Sequence, residues 1–114
     1  MTDTAADARF WDKTARKYAK DPIKDMAGYE RTVAHVRGQL KSTDEVLELG
    51  CGTGTTALKL APAVARYIGS DISSEMIAIA REKAAVERCG NLHFEVAGSD
   101  RSSWPTGPFD AVLA

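Results

Sequence analysis

With 114 residues, 44% of them hydrophobic and 27% charged, the chain suits one globular domain with a moderate core. Its formal charge of −1 offers no pull on a polyanion, so nucleic acid is not the expected partner, and no apolar run reaches the length of a membrane span. The polar, acidic start Met-Thr-Asp-Thr-Ala-Ala-Asp lacks the basic-then-apolar order of a signal peptide, and Cys51 and Cys89 are too few for a disulfide framework, which together point to the cytoplasm.

Ala8, Trp11, Ala15, Tyr18 and Ala19 recur at three- and four-residue spacing and predict an amphipathic helix that ends at Asp21-Pro22. Met26, Tyr29, Val33, Val36 and Leu40 form a second such stripe. Residues 1–44 therefore read as a helical cap at the rim of a sheet, and 45–114 as the sheet region itself. Glu45 to Leu49 is the first predicted strand, Thr55 to Val64 a helix, and Arg66 to Asp71 a second strand. The next helix has Ser73 as N-cap, Glu75 in its first turn, Arg81, Lys83 and Arg88 toward its end, and Gly90 as C-cap. Leu92, Phe94 and Val96 alternate with His93, Glu95 and Ala97, as on a sheet edge, whereas Phe109 to Ala114 is nearly all apolar, as at the centre of a parallel sheet.

The link from Gly98 to Pro108 is too short for a crossover helix. A fourth strand on the far side of the first requires about 14 Å across the sheet and about 17 Å along it, and eleven residues reach roughly 36 Å. The expected architecture is thus α/β with parallel strand order 3-2-1-4, which opens a switch point beside the first strand, where ligands bind in such sheets.

At that point lies Val46-Leu-Glu-Leu-Gly-Cys-Gly-Thr-Gly54, an apolar strand breaking into three alternating glycines. A dinucleotide loop would place glycine at position 55, which is Thr55, and a phosphate loop would need a lysine before Lys59. Asp71 follows Gly50 by 21 residues, about the offset at which an acid accepts hydrogen bonds from ribose hydroxyls; capping the next helix is its rival role, one that Ser73 can fill instead. Glu48 lies within the first strand, where a carboxylate must be bonded, solvated or paired. Cys89 and His93 lack the further ligands a metal would need.

Together with Phe10-Trp11-Asp12, Tyr18, Ile68-Gly69-Ser70-Asp71-Ile72-Ser73, Ser74-Glu75-Met76 and Phe109-Asp110-Ala111-Val112, the glycine run resembles class I S-adenosylmethionine-dependent methyltransferases of the small-molecule, ubiquinone-biosynthesis-like branch. The resemblance implies a Rossmann-like fold with helices on both faces of the sheet. It implies that Gly50, Cys51, Gly52 and Gly54 present backbone to the methionine end of S-adenosylmethionine, or of the product S-adenosylhomocysteine. Glu48 would lie near the methionine amino group, Asp71 at the ribose, Ile72 and Met76 on the adenine faces, and Ser99 and Asp100 at the adenine edge, although Asp100 suits an ordinary turn equally well. Tyr18 would cover the cofactor, since an aromatic face attracts a sulfonium cation; Trp11 and Tyr29 are further candidates for that cover, with packing between helices as their favoured role. No general base or metal ligand is assigned, and the acceptor is expected to be a small molecule. The family fold has seven strands, so the chain reads as its cofactor-binding half, truncated after the fourth strand. That strand's open edge would then invite a partner strand or a second copy. The alternative is a module that holds the cofactor without turnover.

Overall fold

A computed structural model describes residues 4–20 and 25–114. Helices α1 (Thr4–Lys20) and α2 (Met26–Gln39) precede β1 (Glu45–Leu49), α3 (Thr55–Leu60), β2 (Arg66–Asp71), α4 (Ser74–Glu87), β3 (Leu92–Val96) and β4 (Ala111–Leu113). The four strands form one parallel sheet in the order β3-β2-β1-β4, as the reach of the 98–108 link requires.

Each helix starts and stops for a local reason. The Asp25 carboxylate accepts the Gly28 N–H at 2.9 Å and caps α2, a signal that the apolar stripe alone does not reveal. Helix α3 ends at Leu60, earlier than Val64, because Pro62 has no N–H to continue the ladder and the chain tightens into a 3-10 turn over Ala61–Ala63. Ser73 caps α4 by accepting the Met76 N–H at 3.1 Å. The C-cap is Arg88, in left-handed conformation at φ 53°, and not Gly90: the Arg88 and Cys89 amides close the last turn onto Ala85 and Ala84 before Gly90 is reached.

Val46, Tyr67, Leu92 and Phe94 point to the sheet face that carries Val33 of α2, Ala57 and Leu60 of α3, and Ile77 and Ala80 of α4. Leu47 and Ile68 are buried on the opposite face. Between β3 and β4 the 97–110 link holds a single 3-10 turn, Arg101–Ser103. Strand β4 is shorter than expected because Asp110 fastens its entrance: its backbone donates to Glu45 O and its carboxylate accepts Glu45 N–H, both at 2.8 Å. Among the described residues β4 pairs with β1 alone, and Val112 is 43% exposed, so it does not form the buried centre that its composition suggests.

Asn91 holds the return from α3 to β2, its amide donating to Ala61 O at 2.7 Å and Val64 O at 2.9 Å. Asn91→Ala removes the amide donor from two carbonyls, of which Ala61 O keeps the Val64 N–H, and should cost about 1–3 kcal/mol in urea unfolding; a loss within error would show that these bonds contribute nothing net.

Candidate functional site

The loop after β1 turns on three left-handed glycines, with φ of 71° at Gly50, 57° at Gly52 and 81° at Gly54. Two of them serve different ends. A Cβ on Gly50 would meet no atom within 4 Å, so this backbone faces open space, whereas a Cβ on Gly54 would stand 2.7 Å from Phe94 Cζ and 3.1 Å from Ala80 Cβ. Gly54 is glycine because α3 packs tightly onto β3 and α4, and Gly50 because the turn needs its φ.

The loop is bonded to β2 throughout. Cys51 N–H donates to Ser70 O at 2.9 Å, and Gly52 N–H to Asp71 Oδ2 at 3.0 Å. The other Asp71 oxygen accepts Ser73 N–H at 3.0 Å, so one carboxylate joins the glycine loop to the start of α4. Ser73 in turn donates its hydroxyl to Asp12 Oδ1 of α1 at 2.6 Å, and the same oxygen accepts Glu75 N–H at 3.1 Å. These bonds to Ser73 and Glu75 hold the Asp12 carboxyl below the ordinary aspartate range. From beneath, Lys83 Nζ reaches Thr55 Oγ1 at 3.1 Å and Thr53 Oγ1 at 3.5 Å; burial pushes its ammonium below the usual lysine range.

Above the carboxyl ends of β1 and β2 lies a cavity of about 330 Å³. Gly50, Gly52, Ser70 and Asp71 form its polar side, Ile72 and Met76 an apolar wall, and Ala97 and Ser99 the far side. Trp11 of α1 completes it. The Ser99 carbonyl accepts the Trp104 indole N–H at 2.9 Å, which steadies that segment.

The structure thus gathers six of the expected residues, Gly50, Gly52, Asp71, Ile72, Met76 and Ser99, around one space. Others stand apart. Cys51 has its side chain in the core, where burial, with Glu48 and Asp71 nearby, raises the thiol far above the ordinary range. Gly54 faces Phe94, and Asp100 is exposed at the head of the 3-10 turn without a capping bond. The Tyr18 side chain lies outside the described residues. Glu48 faces the helical side and lines a second cavity of about 380 Å³ with Tyr29 and Thr56, whose hydroxyls share a 2.7 Å hydrogen bond. Tyr29 therefore packs between elements as expected; Trp11, expected to do the same, lines the cavity because α1 is docked on α4 with this ring toward it. Ser70, Ala97 and Asp12 were assigned no role from sequence, since strand pairing and a helix 61 residues away in sequence bring them here. Among the described residues no three His, Cys, Asp or Glu side chains gather as a metal site.

Burial raises the Glu48 pKa despite the Tyr67 hydroxyl donating at 2.7 Å, and the Asp71 charge adds to the rise. A carboxyl whose pKa is higher folded than unfolded binds more protons in the native state, so its contribution weakens as pH rises above the ordinary glutamate value of about 4.3. Glu48→Gln should gain stability relative to the parent as pH is raised from about 4 toward neutrality; an advantage that stays flat with pH would contradict the buried, disfavoured charge. Gly54→Ala combines a positive φ with overlap against Phe94, and should cost about 2–4 kcal/mol in chemical denaturation; a cost below about 1 kcal/mol would show that the contact relaxes freely.

A parallel sheet that opens at its switch point into a glycine turn, with an acid ending the next strand, defines a Rossmann-like domain built for a nucleotide-like ligand. The chain belongs to the methyltransferase domain family, whose family model matches residues 46–114, and its fold is that of class I S-adenosylmethionine-dependent methyltransferases. It is 38% identical over 69 residues to magnesium-protoporphyrin O-methyltransferase of Rhodobacter capsulatus, covering 60% of this chain and 30% of that protein. It is also 38% identical over 63 residues to tRNA (uracil-5-)-methyltransferase homolog A of Mus musculus, covering 55% and 10%. The crystal structure of magnesium protoporphyrin IX methyltransferase from Synechocystis PCC 6803 with bound SAM superposes with a TM-score of 0.73 at 26% identity, over 98% of this chain and 61% of that one. The chain matches 30% or less of the length of these two curated relatives.

Proposed function

We propose that this chain is the S-adenosylmethionine-binding portion of a methyltransferase that acts on a small molecule in the cytoplasm. The observation that carries the reading is Asp71, which ends β2 inside the cavity and spends one lone pair of each oxygen on Gly52 and Ser73 amides. A carboxylate oxygen accepts more than one bond, so each remains able to accept a ribose hydroxyl. Gly50, with its backbone bare toward open space, fits the methionine end, and Ile72 and Met76 offer an apolar wall for adenine. Ser99 lies where the adenine edge would fall. Bound S-adenosylmethionine supplies a methyl group on a positively charged sulfur, already electrophilic, so the protein's work is alignment and exclusion of water.

The acceptor class rests on three supports: a formal charge of −1, which attracts no polyanion, the magnesium-protoporphyrin relatives, and a cavity that borders α1. The two free cysteines suit a reducing compartment, and no described helix is long and apolar enough to cross a membrane.

Calorimetric titration with S-adenosylhomocysteine tests the reading. The parent chain should bind, and Asp71→Ala should weaken binding by about 1.5–3 kcal/mol, the worth of hydrogen bonds to a charged group. No heat from a folded parent, or equal affinity in the variant, would contradict it.

A further inference from the structure

Resting on that cofactor reading, we propose that Asp12 is a positioning residue: its carboxylate locks α1 to the first turn of α4 and thereby holds Trp11 as a wall of the cofactor cavity. Asp12 Oδ1 takes two donors from one turn of α4, the Ser73 hydroxyl at 2.6 Å and the Glu75 amide at 3.1 Å. A negative charge at this point also meets the positive end of a 14-residue helix.

Helix α1 lies against α4, and the side chains of residues 16–20 are outside the described ones. Its buried contribution among the described side chains is Ala15, set against Met76 and Ile79. Trp11 is 39% exposed and Phe10 58%, the two rings meeting edge to face at 5.2 Å. Asp12, the immediate neighbour of Trp11, ties this part of α1 to α4, and so bears on where the Trp11 ring lies.

The anchor and the cavity share parts. Met76 packs against Ala15 and also lines the cavity, and its amide is held by the same Ser73 hydroxyl that donates to Asp12. A run of bonds from Gly52 through Asp71 and Ser73 to Asp12 joins the glycine loop to α1. Trp11 is thus placed against whatever Asp71 and Gly52 hold, and an indole offers a flat apolar face to a purine or to a cationic sulfur.

The test uses S-adenosylhomocysteine and a Trp104→Phe parent, in which Trp11 is the remaining one of two tryptophans. Titration should change Trp11 emission in the parent. Asp12→Ala should weaken binding roughly five- to tenfold, Trp11→Ala by a similar factor, and the double variant by less than about twofold more than Trp11→Ala, because both changes remove one effect. Asp12→Asn, which keeps an acceptor oxygen, should restore binding to within about threefold of the parent. A parent that binds while Asp12→Ala binds equally well, or losses that simply multiply in the double variant, overturns the positioning role and leaves the cofactor reading standing. A folded parent that does not bind overturns both. If Asp12→Ala does not fold, Asp12→Ser, too short to span the same gap, carries the same expected and overturning results.

Discussion

The Asp71 carboxylate holds two backbone amides that belong to different parts of the chain, Gly52 in the glycine loop and Ser73 at the head of α4. Hydrogen bonds to a charged acceptor stabilise by about 1.5–3 kcal/mol where they are shielded from water, enough to decide the shape of a loop that has little else to hold it. The left-handed backbone at Gly50 and Gly52 has no regular ladder to join; Asp71 on one side and the Cys51 amide to Ser70 on the other supply the missing partners. The geometry of the candidate site depends on this clamp.

Everything else sets the clamp in place. Parallel pairing of β1 with β2, Leu49 opposite Ser70, brings Asp71 level with the loop. The return of the chain from β3 across the sheet to β4 opens the switch point, and burial of Val46, Tyr67, Leu92 and Phe94 under three helices keeps the strand ends from moving. Gly54 allows α3 to close onto Phe94, so the loop is pressed from below by packing and held from the side by hydrogen bonds. Ser73 then extends the same bonding to α1 through Asp12.

Strands β1 and β2 are legible to the residue, since apolar runs bounded by glycine and an acid admit one reading, and strand order followed from the reach of a short link. The positions of Gly50, Gly52 and Asp71 around one cavity were likewise legible, because each lies at or beside the carboxyl end of β1 or β2, whereas Ile72, Met76 and Ser99 were implied by the family resemblance. What sequence does not carry is side-chain direction and distant pairing. Cys51 and Gly54 belong to the same motif as Gly52 yet face the core, and Glu48 turns to the helical side to meet Tyr67. Trp11 reads as a packing residue from its helical spacing, and only the docking of α1 on α4 turns it toward the cavity. Arg88 is the cap in place of Gly90 because the Arg88 and Cys89 amides close the last turn of α4 two residues before glycine is reached.

The most direct measurement is a set of amide shifts recorded by nuclear magnetic resonance while S-adenosylhomocysteine is titrated into the folded chain. If Asp71 clamps the loop and also meets the ribose, the amides of Gly52 and Ser73, which bond its two oxygens, should move together and saturate at one ligand per chain, along with Gly50 and the Trp11 indole. Amides from Cys89 to His93, at the other end of the sheet, should stay in place. Saturable binding that leaves Gly52 and Ser73 unmoved would contradict the account, because the ligand would then lie somewhere other than on the Asp71 carboxylate.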